Sequence, residues 1–154
     1  MQTPSVVSRF TSNPIHPKSV RCNTDGAWNE DRKAGGMGWV FHNCNQILIT
    51  QRSKARKHIA SSLIADQGLA IRFALEHAVE LGFTSLHVVS DSQQLVKAIN
   101  SESWLSEIYG ILQDISHLSS LFKDVNFVSI SREANLLADS LAKQYLHAFV
   151  QLEN

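Results

Sequence analysis

The chain has only two cysteines, Cys22 and Cys44, among its 154 residues. Neither sits in a CxxC pair or a Cys/His ligand spacing, which excludes a zinc-stapled scaffold, and two cysteines cannot build a disulfide framework. Both are expected as free thiols in a reducing compartment, nucleus or cytosol; the alternative is one disulfide between them. Long apolar runs are missing too. No stretch approaches the roughly 18 residues that span a bilayer, and the first residues lack the apolar centre of a secretory signal, so no membrane association is expected. Net charge is absent, with 14 Lys and Arg against 14 Asp and Glu; evenly mixed, these would argue against strong nucleic-acid binding. There is no glycine-rich phosphate loop, no Ser/His/Asp nucleophile arrangement, no internal repeat and no low-complexity segment.

What is present fits one domain. A mass of 17.2 kDa with 44% hydrophobic residues supplies a single core. Residues 1–19 carry Arg9 and Lys18, several Ser and Thr and no acid, and are expected to be a disordered or linker-like lead; the alternative is an organelle transit peptide. Residues 20–149 form the domain, and 150–154 a tail. The charges are not evenly mixed. Residues 1–57 hold nine Lys and Arg against three acids, and residues 58–154 hold five against eleven. The densest basic cluster is Arg52, Lys54, Arg56 and Lys57, read as a loop that either contacts phosphates or is simply solvated.

From Val20 to Asp25 apolar or small residues alternate with polar ones, and Gly26 follows, so a strand ending at Asp25 is expected. Asn29 to Gly36 reads as a loop. Gly38–His42 and Gln46–Gln51 read as two further strands joined by a turn, giving three antiparallel strands. Ile64, Gly68, Ile71, Ala74, Leu75 and Ala78 recur at helical steps, which predicts a long helix over about 61–81 stopped by Gly82. The β-branched run Leu86 to Val89 predicts a central strand ending at Ser90-Asp91. Helices over 92–99 and roughly 104–122, a strand over 124–131, and a last helix opened by Asn135 and running to about Phe149 complete the series. The whole is α/β, a mixed five-stranded sheet flanked by helices. Periodicity alone leaves the strand order open.

Asp25, Asp91 and Asp139 each stand where an apolar segment meets its neighbour, and each has a plain structural reading. Asp25 before Gly26 is ordinary turn chemistry. Asp91 suits a helix N-cap, with Gln94 completing a capping box. Asp139, in the first turn of the last helix, complements its macrodipole. Gln67 falls three residues after Ile64 and four before Ile71, on the inward side of its helix, where a polar side chain needs either backbone partners or a function. Carboxylates converging from distant parts of a chain are also what two-metal phosphodiester hydrolysis requires, since they hold two Mg²⁺ about 3.5–4 Å apart against their repulsion.

The words NTDGAW, VVSDSQ and SREANLLADSLAK fall in order at the turning points of this series. With them, roughly residues 20–148 resemble the ribonuclease H fold, and in particular the plant ribonuclease H-like domain related to non-LTR retroelement reverse transcriptases. The resemblance implies a first strand central beside the fourth, and an RNA/DNA-hybrid endoribonuclease using Mg²⁺, or Mn²⁺, to leave a 3′-hydroxyl and a 5′-phosphate. It implies that Asp25 bridges the metals while Asp91 and Asp139 each hold one. The family's AEGLAIR-like segment aligns with residues 66–72 and places Gln67 where the family has glutamate. Glutamine keeps a carbonyl oxygen but removes one negative charge, so weakened Mg²⁺ binding is expected. Asp66, about 100° around the helix, is expected to point away from Asp25 and Asp91.

The same resemblance implies substrate-strand contacts from the loop before the last helix: Arg132 on a phosphate, and Asn135 as either a contact or only the helix cap. No histidine lies between Asp124 and Asn135, and no Lys or Arg between Ser101 and Phe122, so the family's product-release histidine and basic protrusion have no counterparts. Hybrid affinity is expected to be modest and salt-sensitive. Trp104 and Tyr109 either stack on bases or belong to the core, and His58 is a surface or capping residue. A monomer is expected, with an RNA/DNA hybrid or structured RNA as partner. The rival reading is a catalytically inactive nucleic-acid-binding or protein-interaction module domesticated from a retroelement.

Overall fold

In the computed structural model, which describes residues 19–58, 61–101 and 105–152, strand β1 (Val20–Asn29) runs through the middle of a five-stranded sheet. It pairs antiparallel with β2 (Ala34–His42), and β2 pairs antiparallel with β3 (Leu48–Lys57). On its other side β1 pairs parallel with β4 (Ser85–Ser90), and β4 with β5 (Asp124–Ser129), giving the order β3-β2-β1-β4-β5. This is the order the resemblance implies. The connections carry helices α1 (Leu63–Glu80), α2 (Gln93–Ser101), α3 (Tyr109–Ser119) and α4 (Leu136–Leu152), with 3₁₀ turns at Ser106–Ile108 and Arg132–Asn135.

Strand alternation divides the side chains between two faces. Cys22, Met37, Trp39, Phe41, Leu86, Val88 and Phe127 pack with Ile71, Ala74 and Leu75 of α1, Leu95 and Ile99 of α2 and Ile115 of α3 to form the main core. The buried Trp39 indole donates to His77 Nδ1 at 3.0 Å, so these two ring nitrogens satisfy each other inside the core. A smaller cluster, Ala27, Ala34, Ala142 and Leu146, joins the opposite face to α4. Ser62 caps α1 by accepting from the Ala65 amide at 3.3 Å, and Gly82, at φ +79, ends it as expected.

Several boundaries differ from the sequence reading. β1 does not stop at Asp25 but continues to Asn29, so Asp25-Gly26 is not a turn; the turn lies over residues 30–33, where Lys33 takes φ 49. β2 begins at Ala34 and includes Gly35 and Gly36. β3 starts at Leu48 and runs to Lys57, so the four basic residues stand on an edge strand rather than in a loop. The expected helix over 104–122 is a 3₁₀ turn followed by α3, and Trp104 lies outside the described residues. The last helix is capped by Ser131, opened by a 3₁₀ turn, and extends through the expected tail to Leu152. Both cysteines are free, Cys22 buried and Cys44 exposed, and burial pushes the Cys22 thiol far above its usual range.

Candidate active site

Two glycine contacts bring the site together. Asp25 lies mid-strand on β1 opposite Gly38 of β2. A Cβ on Gly38 would stand 2.8 Å from Ala138 O, Ala142 N and Leu141 Cβ, and one on Gly36 would collide with Ala142 O. With no side chains there, and with Ala138 and Ala142 wholly buried, α4 rests directly on β2 and carries Asp139 to Asp25. Gly26 does the same for α1. A Cβ on Gly26 would collide with Gln67 N and come within 2.5 Å of Asp66 C, so the helix backbone at Gln67 lies against the residue that follows Asp25.

Asp91 follows the end of β4. Ser92, not Asp91, caps α2, its Oγ accepting from the Leu95 amide at 3.3 Å, which leaves the Asp91 carboxylate for other use. Asn135 holds it there. The Asn135 amide donates to Asp91 Oδ2 at 3.4 Å and to Thr24 O at 2.8 Å, while its oxygen accepts from Asn23 Nδ2 at 3.0 Å. Thr24 Oγ1 in turn donates to Val89 O at 3.1 Å, binding β1 to β4 just before the acids. With Ser131 as the cap, Asn135, at 1% exposure, is not the helix cap; its hydrogen bonds make it a clamp between β1, Asp91 and the start of α4.

The electrostatics follow from this convergence. Burial, then the Asp91 charge and the closeness of the Asp139 carboxyl, push the Asp25 carboxyl up to about 7, against the pull of the Gly26 amide, which donates to Asp25 Oδ1 at 2.8 Å. Lys143 pairs with Asp139 Oδ2 at 3.1 Å, yet Asp139 Oδ1 is buried with no hydrogen-bond partner. An orphaned carboxylate oxygen beside a second buried carboxyl is a donor set that a proton or a hard cation completes. Asp25 and Asp139 therefore fit one divalent cation, with Asp91 close enough to act on Asp25. Among the described residues, however, no three His, Cys, Asp or Glu side chains converge as a complete cation site. Gln67, at 9% exposure on α1, has its backbone amide against Gly26, the residue that follows Asp25.

Asp66 points elsewhere, as its helical offset predicts, but its surroundings were not foreseen. Its side chain is fully buried against Gly35, where any Cβ would collide with it. Arg56 Nε lies 3.8 Å from Asp66 Oδ1 and the Ser61 hydroxyl donates to the same oxygen at 3.4 Å; Oδ2 has no partner. Burial outweighs these favourable contacts and pushes the carboxyl up to about 7.

The basic cluster does not form one patch. Arg52, Lys54 and Arg56 alternate onto the α1 face, where Arg52 lies 3.9 Å from Glu80, Lys54 Nζ sits 4.2 Å over the Phe73 ring and Arg56 reaches Asp66. Lys57 faces the other way, beside Phe149 and Val150. Charges on an edge strand discourage pairing with another chain, which accounts for them without a ligand. Arg132 is exposed on its 3₁₀ turn and His58 is exposed after β3. Tyr109 is 42% exposed and its hydroxyl accepts from Gln113 at 2.6 Å.

The family model described as "Reverse transcriptase-like" matches residues 23–145 of this chain. No curated protein shows significant similarity to it. Among solved structures, RNase H1 from the halophilic archaeon Halobacterium salinarum is similar at 21% identity and a TM-score of 0.79, covering 84% of this chain and 98% of that one. The N-terminal RNase H domain of a Mycobacterium tuberculosis protein is similar at 22% identity and a TM-score of 0.79, covering 89% and 99%. An RNase H1 isolated from compost, solved in complex with an RNA/DNA hybrid, is similar at 19% identity and a TM-score of 0.78, covering 86% and 99%.

Proposed function

The chain belongs to the reverse transcriptase-like family, and on that premise we propose that it is a ribonuclease H-like domain that binds an RNA/DNA hybrid and cuts the RNA strand with Mg²⁺ or Mn²⁺, at a rate held down by Gln67. The observation that carries this reading is the buried Asp25–Asp139 pair, with Asp91 beside it and Asp139 Oδ1 unpartnered. Asp25 and Asp139 would hold the first cation and Asp91 would contribute to a second. A divalent cation bound there supplies charge for the scissile phosphate and lowers the pKa of an attacking water. Asp25 must first give up the proton it holds near neutrality, so cation binding should release protons and weaken as pH falls through about 7. Gln67 offers a carbonyl oxygen to the ribose 2′-hydroxyl but no charge, leaving the second cation poorly held. Lys143 balances part of the acidic charge when no cation is present.

The test is cleavage of a labelled hybrid. Native protein is expected to cut slowly, Asp25→Asn not at all, and neither to cut the DNA strand; cleavage that survives Asp25→Asn would remove the reading. A second reading is favoured by Gln67 and by the lack of a complete three-acid cation site among the described residues: a non-catalytic nucleic-acid-binding module domesticated from a retroelement. Hybrid binding without cleavage under every metal would favour it. In either case the protein is taken to act as a monomer in the nucleus or cytosol.

A further inference from the structure

Next to the acids lies a cleft of about 540 Å³, within the size range of ligand sites. It runs between the end of β1 with the first turn residue, Gly26 to Glu30, and the face of α4 formed by Lys143, Leu146, His147 and Val150. Gly26 adjoins Asp25, and Lys143 is paired with Asp139 at 3.1 Å, so the cleft begins one residue away from the acidic centre. The seven helical steps from Lys143 to Val150 span about 10 Å, longer than one phosphate group needs.

Its lining suits a polyanion with flat groups attached. Arg132, Lys143 and His147 face it. Among the described residues Arg132 has no carboxylate partner, and His147 is exposed. The single acid on the wall, Glu30, is already neutralised by Lys33 at 2.7 Å. Glu30 also accepts from the Trp28 indole at 2.7 Å, which steadies the half-buried ring at the cleft wall. An aromatic ring beside basic and hydrogen-bonding side chains is the arrangement that binds single strands, phosphates on those groups and a base on the ring. The basic residues of β3 cannot serve here, since three of them pack toward α1 on the other side of the sheet.

We infer that this cleft binds a single polynucleotide strand running on from the hybrid held at the acids, with phosphates on Arg132, Lys143 and His147 and a base or ribose against Trp28. The inference rests on the proposed reading of the acidic site and narrows its substrate to a hybrid with an unpaired flank, such as a junction or an overhang.

The test measures affinity of the full chain, with Ca²⁺ replacing Mg²⁺ to slow cleavage, for a blunt hybrid and for hybrids carrying an RNA or a DNA tail on either end. One tailed hybrid should bind on the order of tenfold more tightly than the blunt one. His147→Gln and Trp28→Ala should erase that gain while blunt-hybrid affinity holds, and Trp28→Phe should keep it. The salt dependence of tailed binding should flatten by a slope of about 0.7 in Arg132→Gln. Because His147 and Arg132 are exposed, their variants report even if Trp28→Ala misfolds. Equal binding of blunt and tailed hybrids, or a tail gain that survives both cleft variants, overturns the cleft inference and leaves the proposed function standing. Binding to no hybrid overturns both.

Discussion

Asn135 donates to the Thr24 carbonyl at 2.8 Å, joining the start of α4 to β1 across 111 residues of chain. The same amide reaches Asp91, so one side chain fixes the spacing of three elements that carry site acids. Asn135→Ala strands the Asn23 amide and the Thr24 carbonyl in a buried setting, which is expected to cost about 1–3 kcal/mol in urea denaturation. Ser131→Ala, which removes only the cap of the following turn, should cost about 1 kcal/mol and leave the acids in place. Asn135→Ala should also weaken Mn²⁺ binding, whereas Ser131→Ala should not.

The glycine contacts predict a pattern of alanine substitutions. Gly38→Ala must push α4 off β2, and Gly26→Ala must push α1 off β1, so each is expected to lose about 1–3 kcal/mol or more and to disperse the site. Gly82→Ala meets no atom but forces alanine to φ +79, a loss of about 1 kcal/mol. Gly110, in the first turn of α3 with open space around it, should tolerate alanine or gain up to about 1 kcal/mol. Thermal melts of the four variants check the order.

Asp25 and Asp66 give the metal-free protein a pH dependence of definite sign. Both carboxyls are raised from 3.8 to about 7, so between those values the folded chain holds protons that the unfolded chain has released. Stability contributed by these groups is full below about pH 4 and falls as pH rises through about 7. Asp25→Asn should therefore exceed the native protein in stability at pH 8, by up to about 4 kcal/mol, and match it near pH 3.5. Burial, with Arg52, holds His77 below its usual value, and burial does the same for His87; these act oppositely and cost stability as pH falls through 6.5. Denaturation curves of native and Asp25→Asn protein across that range isolate the carboxyl.

Much of this was legible in the chain, and the omissions share a physical cause. Periodicity found α1 and β4 within two residues of their observed ends, because one buried face leaves a clear 3.6 or 2.0 repeat. It missed β3 beyond Gln51, since Arg52 to Lys57 sit on an edge strand with little apolar signal; only pairing with β2 makes that segment a strand. Asp25-Gly26 read as a turn because local chemistry allows one, whereas Gly26 is small to admit the α1 backbone, a contact made by residues about 40 positions later. Asn135 and Asp91 read as caps for the same reason: a cap is a local pattern, and the neighbouring serines that perform it, Ser131 and Ser92, leave the other two free for contacts that only the tertiary fold creates. The inward placement of Gln67 was readable from its helical phase, but the buried Asp66 on Gly35 was not.

On the proposed reading, the site is a ribonuclease H-like centre in which Gln67 replaces one acid. The most direct measurement is single-turnover cleavage of a labelled RNA/DNA hybrid by native protein, Gln67→Glu, and Gln67→Glu combined with Asp25→Asn, each with Mg²⁺ and with Mn²⁺. Gln67→Glu should cut faster than native on the order of 10²-fold, and the double variant should not cut. Gln67→Glu no faster than a silent native protein, with hybrid binding intact in both, would contradict the claim and leave a binding module in its place.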